Sequence, residues 1–223
     1  SGWPTNDIDL VWLNTPSNPT GRVHSESEMR AVLDWSRANG IVIASDECYL
    51  PFPDKKSGIS ILKLASGDNK NLIALHSLSK RSNLAGYRAA FAVGDSAIIS
   101  RLLEIRKHMG MMVPLPVQRA MSIALSDEKH VIAQGELYRN RRARLSMALI
   151  ENGFKIENSE SGLYIWCTRG EEDWQSVAWF AERGIIVTPG NFYGEAGNRH
   201  IRIALTATDA KIDEAAERIG KAL

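Results

Sequence analysis

The stretch Leu72–Gly94, LIALHSLSKRSNLAGYRAAFAVG, decides the fold because it predicts two strands joined by a polar turn. Its first four residues are apolar and β-prone, which predicts a buried strand that ends at the hydroxyl-rich turn Ser77-Leu78-Ser79. Lys80 follows this turn, and a second strand is predicted to begin at Arg88 and to continue through Val93. The sequence therefore places a lysine at the end of a strand, with hydroxyl groups before it and an arginine after it.

This combination of side chains is suited to binding a phosphorylated aldehyde. A lysine amine can form a Schiff base with the aldehyde, while hydroxyls and a guanidinium bind the phosphate. A Ser-x-Ser-Lys sequence alone favours a solvated surface lysine. The functional reading gains weight from three further motifs that stand in order along the chain: NTPSNPTG at 14–21, SDECY at 45–49, and Arg202 within HIRIAL at 200–205.

Together the four motifs resemble the class I/II aminotransferases of fold type I, which depend on pyridoxal 5′-phosphate (PLP). The resemblance covers essentially the whole chain, and segments 44–50, 77–88 and 204–209 are most similar to actinobacterial N-succinyldiaminopimelate aminotransferases. It implies an α/β fold: the second half of the PLP-binding large domain, with a mostly parallel sheet and helices, and a small α+β C-terminal domain. The glycine-rich phosphate turn and ring-stacking aromatic of the family's N-terminal half are not recognisable here, so we expect these residues alone not to form a complete enzyme.

The resemblance gives the two central residues their roles. It implies that Lys80 is the Schiff-base lysine, whose released amine can move a proton as general base and acid. It implies that Asp46 pairs with the pyridine nitrogen and keeps the ring protonated, so that the ring accepts electrons. A capping or turn aspartate is the alternative for Asp46.

The same resemblance implies the remaining contacts to cofactor and substrate. Tyr49 and Asn18 correspond to the donors to the cofactor's phenolic oxygen, although a core tyrosine and a turn asparagine are the plain alternatives. Ser77 and Arg88 correspond to phosphate ligands. Arg202 corresponds to the arginine that binds the substrate carboxylate, for which its planar fork is suited. No metal ligands are predicted.

Periodicity and capping signals predict the elements around these motifs. Ser25 and Glu28 form a capping box for a helix over Glu26–Asn39, which Gly40 ends. Strands are also predicted at 9–13, 41–44, 163–167, 185–188 and 201–205, and helices at 61–64, 95–109, 117–125, 128–152, 174–183 and 210–223, with a loop at 51–58. The predicted divisions are residues 1–115 for the large domain, 116–152 for linking helices and 153–223 for the small domain.

The composition excludes several classes of function. The 27 Lys and Arg residues nearly balance the 26 Asp and Glu residues, so there is no basic field for nucleic acid or an anionic membrane. The basic run at 139–144 is interpreted as a solvated helix face. There is no apolar run of membrane-spanning length and no signal peptide, and two isolated cysteines suit a reducing cytoplasm.

The resemblance thus implies a homodimeric aminotransferase with shared active sites, which we expect in the cytoplasm. The resemblance suggests N-succinyl-LL-2,6-diaminopimelate and 2-oxoglutarate as substrates, in lysine biosynthesis. Another class I/II aminotransferase, acting on aspartate, alanine or aromatic amino acids, and a carbon–sulfur lyase remain alternatives. So do a PLP-sensing effector domain of a transcription regulator and a split subunit that needs a partner chain.

Overall fold

Four strands form the first sheet of the computed structural model, which describes residues 7–52 and 57–221. In both chain order and spatial order they are β1 (Leu10–Asn14), β2 (Val42–Asp46), β3 (Leu72–Ser77) and β4 (Ala90–Gly94). The first three pair in parallel, whereas β4 runs antiparallel to β3. A parallel return needs a crossover connection, usually a helix, and residues 78–89 form only two single turns. The predicted α/β class with a mostly parallel sheet is confirmed.

Two helices cover one face of this sheet. α1 (Glu26–Asn39) begins with the predicted capping box and ends at Gly40, which has a left-handed φ of 68°. α2 (Ile61–Leu64) follows the capping residue Ser60. Their apolar sides and the inward side chains of the strands form one core cluster of buried residues: Met29, Val32, Leu33, Ile43, Ile61, Leu64, Ala65, Leu72 and Ala74.

Three more helices complete the elements before residue 129. α3 (Leu78–Arg81) is a single turn after β3, α4 (Ser96–His108) begins at the capping residue Asp95, and α5 (Leu115–Leu125) begins after Pro114. Neither α4 nor α5 has a buried residue. Large apolar side chains of this region are exposed instead: Leu102, Leu103, Ile105, Met109, Met111, Met112, Leu115 and Ile123.

The second sheet has four antiparallel strands in the order β5-β6-β8-β7. Its elements and the helices around it are α6 (Lys129–Glu151), β5 (Lys155–Ile156), β6 (Tyr164–Thr168), α7 (Asp173–Glu182), β7 (Thr188–Pro189), β8 (Ile201–Ala204) and α8 (Asp209–Ile219). The predicted strand at 185–188 is wrong for its first three residues. Ile186 is 99% exposed there, and β7 pairs with β8 through only two residues.

The solvated helix face predicted for residues 139–144 is also wrong at its centre. Arg142 is only 3% exposed, and its guanidinium donates to the carbonyl oxygens of Tyr164 at 2.5 Å and of Gly162 at 2.6 Å. Arg141 pairs with Asp209 at 2.6 Å. The basic run therefore attaches α6 to β6 and to the start of α8.

The described residues fall into two compact units. The first comprises residues 7–16, 24–51 and 57–131, and the second comprises 17–23, 52 and 132–221. The division falls inside the segment predicted to link two domains, and the predicted boundaries at 115 and 152 stay a prediction. Residues 1–6, the middle half of the predicted loop at 51–58 (residues 53–56), and the last two residues of the predicted C-terminal helix lie outside the described residues. Within the described ranges, no helix is both long and apolar enough to cross a membrane.

Candidate active site

Asp46 lies at the carboxyl end of β2, in the first unit. It is in register with Leu75 of β3, two residues before Ser77. Side chains alternate along strands and paired residues point to the same face, so Asp46 and Ser77 lie on the same side of the sheet. This side is opposite to the one covered by α1 and α2, because the core residues Ile43 and Ala74 occupy the alternate positions.

The turn after β2 is built around the Asp46 carboxylate. Its Oδ1 accepts a hydrogen bond from the Cys48 backbone N–H at 3.1 Å. Burial, together with the hydrogen bond to Asp46, raises the pKa of the Cys48 thiol to about 12, so this cysteine stays a neutral thiol. Tyr49, in the same turn, is 8% exposed. The Asp46 carboxylate and the buried Tyr49 phenol therefore both lie at this edge of the sheet.

Lys80 lies on α3, immediately after β3. The Ser77 hydroxyl caps this helix by accepting from the Ser79 N–H at 3.1 Å. Within the described part of the chain, the Lys80 amine has no hydrogen bond or ion pair, whereas the next residue is firmly held. The Arg81 guanidinium, 10% exposed, donates to the Ala124 carbonyl at 2.8 Å and pairs with Glu128. Arg81 anchors the helix, and the Lys80 amine stays available to a ligand.

Arg88 precedes β4 and does not belong to it. The structure corrects the predicted strand start, because Arg88 has a left-handed φ of 50° at the end of a 3-10 turn over Ala85–Tyr87, and β4 begins at Ala90. Ala90 is in register with Ser77, so the chain returns to Ser77 directly after Arg88. The exposed guanidinium donates one bond, to the Ala85 carbonyl at 2.9 Å. Ser77 and Arg88, the two residues predicted to bind phosphate, are thus near each other: Arg88 lies two residues before the strand partner of Ser77.

Asn18 and Arg202 meet in the second unit, although 184 positions separate them in sequence. The Arg202 Nη1 donates to the Asn18 Oδ1 at 2.8 Å. The guanidinium carbon lies 4.0 Å from the ring centre of Tyr164 and 5.0 Å from that of Tyr193. The Arg202 Nε is buried and has no hydrogen-bond partner among the described residues. An unpaired buried N–H is costly, so this edge of the guanidinium is suited to an acceptor from a ligand.

A cavity of about 310 Å³ in the first unit does not coincide with these residues. Of the residues predicted for the site, only Ser77 lines it. Its polar centre is Glu47, which is fully buried and accepts from the Ser45 hydroxyl at 3.0 Å and from the Ile61 N–H at 2.9 Å. His76 Nε2 lies 3.5 Å from the other carboxylate oxygen. Glu47 joins the end of β2 to the start of α2, on the core side of the sheet.

Sequence reasoning missed Glu47, Arg81, Tyr164 and Tyr193 as neighbours of the predicted residues. Glu47 directly follows Asp46, and Arg81 directly follows Lys80. This adjacency was the one sequence signal that could have indicated that they lie beside the site. Nothing in the sequence marked Tyr164, because its proximity to Arg202 depends on the pairing of β6 with β8.

Comparison with known proteins identifies the family. The family model described as aminotransferase class I and II matches residues 3–219. The chain belongs to the class I and II aminotransferases. Members of this family use pyridoxal phosphate.

Similar proteins cover nearly all of the chain, but the chain covers only part of them. A protein named "probable aminotransferase" from Mycobacterium tuberculosis is 51% identical over 94% of this chain and 51% of its own length. The 4-dedimethylamino-4-oxo-anhydrotetracycline transaminase of Streptomyces rimosus is also 51% identical, over 95% of this chain and 60% of its own. The solved structure of a probable N-succinyldiaminopimelate aminotransferase from Thermus thermophilus aligns with a TM-score of 0.87 at 28% identity, over 95% of this chain and 58% of that one. The chain thus spans between half and three fifths of the length of these relatives.

Proposed function

We propose that this chain carries cofactor-binding and substrate-binding residues of a PLP-dependent aminotransferase. The observation that carries the proposal is that Lys80 lies one turn beyond β3, with Asp46 at the end of the neighbouring parallel strand, in a member of the class I and II family. Open α/β sheets bind their ligands outside the carboxyl ends of their strands.

The side chains at this edge of the first unit fit the cofactor. The Lys80 amine, unpaired within the described residues, is suited to the aldehyde, and the Asp46 carboxylate is suited to a protonated ring nitrogen. The Arg88 guanidinium uses one of its five N–H groups for the Ala85 carbonyl, so the rest can bind a phosphate near Ser77. The proposed phenolic-oxygen donors, Tyr49 and Asn18, rest on the family resemblance alone.

In the reaction we propose, each residue has one task. When bound, the cofactor supplies an electron sink for the bond that breaks at the substrate Cα. Lys80 removes the Cα proton as general base and then, as general acid, delivers a proton to C4′ of the cofactor. Asp46 holds a proton on the ring nitrogen. Its carboxylate is oriented for this by the N–H of Cys48.

Arg202 is proposed to bind the α-carboxylate of the amino donor. Asn18 occupies its Nη1, which leaves the fork formed by Nε and Nη2 for a carboxylate in two parallel hydrogen bonds. The buried Nε, which has no hydrogen-bond partner among the described residues, supports this assignment, because such an N–H gains most from a ligand acceptor.

A reduction experiment tests the lysine. The protein is incubated with PLP, reduced with sodium borohydride and digested, and mass spectrometry then locates the pyridoxyl group. We expect the label on Lys80 and no label at that peptide in Lys80→Ala. Lys155→Ala, at an exposed surface lysine, is the matched control and should label as the wild type does. A label on another lysine, with Lys80 unmodified, would refute the assignment.

For the substrate we propose N-succinyl-LL-2,6-diaminopimelate with 2-oxoglutarate as acceptor. The likeness to the Thermus thermophilus structure supports this, while the 51% identity to a transaminase named for a tetracycline intermediate favours a second candidate, a polycyclic ketone acceptor. A panel with 2-oxoglutarate and several amino donors tests the first candidate: kcat/KM should be at least about tenfold higher for the succinylated donor than for aspartate, alanine or aromatic amino acids.

The rival functions differ in turnover. A PLP-sensing effector domain would bind the cofactor without converting glutamate to 2-oxoglutarate, and a carbon–sulfur lyase would release pyruvate from a cysteine conjugate. We also propose a cytoplasmic homodimer, which light scattering after gel filtration and cell fractionation can test.

A further inference from the structure

We infer that Tyr164 and Tyr193 are positioning residues that fix the guanidinium of Arg202 by contact with their aromatic rings. The inference rests on the proposed role of Arg202 and deepens it, because it states what sets the orientation of the fork that meets the substrate carboxylate.

The geometry around Arg202 supports two cation–π contacts. The guanidinium carbon lies 4.0 Å from the centre of the Tyr164 ring and 5.0 Å from the centre of the Tyr193 ring, both within the range of this interaction. Tyr164 is on β6, which pairs directly with the strand that carries Arg202. Tyr193 comes from the 3-10 turn Gly190–Tyr193.

Aromatic rings hold a cation without occupying its hydrogen-bond donors. No carboxylate of the described residues pairs with Arg202, and the one side-chain hydrogen bond it makes there is to Asn18. An acidic partner would compete with a substrate carboxylate for the same N–H groups. The quadrupole of an aromatic ring attracts the charge but leaves all five donors free for acceptors. This arrangement orders the long side chain without using the donors of its Nε–Nη2 edge.

The turn that carries Tyr193 is itself fastened. The Asn191 N–H donates to the buried Asp173 carboxylate at 2.8 Å, and the Gly190 N–H donates to the His200 carbonyl at 2.8 Å. The Tyr193 ring meets the Trp166 ring edge-on at 6.2 Å. The ring beside the guanidinium is therefore in place before a ligand arrives, which reduces the ordering cost of binding.

The experiment compares ring removal with ring retention. Tyr164→Leu and Tyr193→Leu remove an aromatic face, whereas Tyr164→Phe and Tyr193→Phe keep it. The first readout is the Nε–Hε signal of Arg202 in the spectrum of protein labelled with [¹⁵N]arginine, assigned by its loss in Arg202→Lys. Ring currents shift a proton beside an aromatic ring, so the signal should move in the Leu variants and stay in place in the Phe variants.

The second readout is the affinity for succinate, used as an unreactive carboxylate and measured by titration calorimetry on the PLP-loaded protein. We expect each Leu substitution to raise the Kd about tenfold and each Phe substitution to change it by less than about twofold. The PLP absorption spectrum should be the same in all four variants. If Tyr164→Leu does not fold, Tyr193→Leu, in a surface turn, gives the same comparison.

The outcomes separate this inference from the proposed function. Leu variants that bind succinate like the wild type, or Phe variants as impaired as the Leu variants, would overturn the role of the rings. If Arg202→Lys still weakens succinate binding in that case, the carboxylate role of Arg202 stands. If neither the wild type nor Arg202→Lys responds to succinate, or both bind it equally, the carboxylate role fails and the inference fails with it.

Discussion

Replacement of Arg142 by methionine should destabilise the second unit strongly. Its guanidinium is 3% exposed and donates to the backbone carbonyls of Gly162 and Tyr164. A methionine side chain reaches nearly as far as the aliphatic part of arginine but donates no hydrogen bond, so both carbonyls would lose a charged partner. Because Tyr164 begins β6, the loss should weaken the attachment of α6 to one of the two central strands of the second sheet.

The magnitude follows from the two bonds. A hydrogen bond to a charged group contributes about 1.5–3 kcal/mol, so two bonds correspond to about 3–6 kcal/mol. The variant also avoids the burial of a cation, which offsets part of this loss. We expect the free energy of unfolding to fall by about 3 kcal/mol in Arg142→Met. It should fall by about half as much in Arg142→Lys, whose single ammonium can keep one bond.

Urea denaturation followed by far-ultraviolet circular dichroism measures these differences. Arg139→Met is the matched control on the same helix, because the Arg139 side chain is 41% exposed and its ion pair with Glu136, at 3.8 Å, is long and exposed. This control should cost less than about 0.5 kcal/mol. If Arg142→Met and Arg139→Met unfold within about 1 kcal/mol of each other, the two carbonyl contacts do not stabilise the unit as argued.

Three further predictions concern the second unit. Gly135→Ala should raise the free energy of unfolding by about 0.5–1 kcal/mol in a urea titration, because the position is helical and an added Cβ meets only the end of a flexible side chain at 3.6 Å. Gly190→Ala should lower it by about 3 kcal/mol, since a Cβ would lie 2.6 Å from the carbonyl oxygen of His200; an unchanged midpoint would contradict this packing. Hydrogen bonds from Lys155, and to a smaller extent from His200, lower the pKa of Glu157 below its ordinary 4.5. The charged carboxylate therefore stabilises the fold above pH 4.5, and this contribution is lost as the pH falls through the lowered pKa. Glu157→Gln should thus be less stable than the wild type at about pH 6 and equally stable at about pH 2, and a difference that persists at the lower pH would exclude this pH linkage.

Local signals in the sequence were sufficient for much of the fold. The Ser25–Glu28 capping box and Gly40 predicted both ends of α1, because capping depends on neighbouring residues alone. The strand at 185–188 failed for the opposite reason. Its apolar residues suggested a buried strand, but only Thr188 and Pro189 find a partner in β8, and strand formation depends on that distant partner.

The candidate site divides in the same way. The motif at 77–80 predicted a lysine beyond a strand end, and the structure has this arrangement. The burial of Arg142 could not be predicted, because its acceptors are backbone carbonyls that carry no side-chain signal. The meeting of Asn18 with Arg202 likewise depends on the folded chain, since a hydrogen bond over 184 positions leaves no periodic trace in one sequence.

The helices α4 and α5 have a consequence for measurement. Neither helix buries a side chain, and a helix of this length is marginal by itself in water. Amide hydrogens there should exchange with deuterium far faster than those of α1. Slow deuterium exchange at the amides of these two helices would therefore show, residue by residue, where another polypeptide surface covers them.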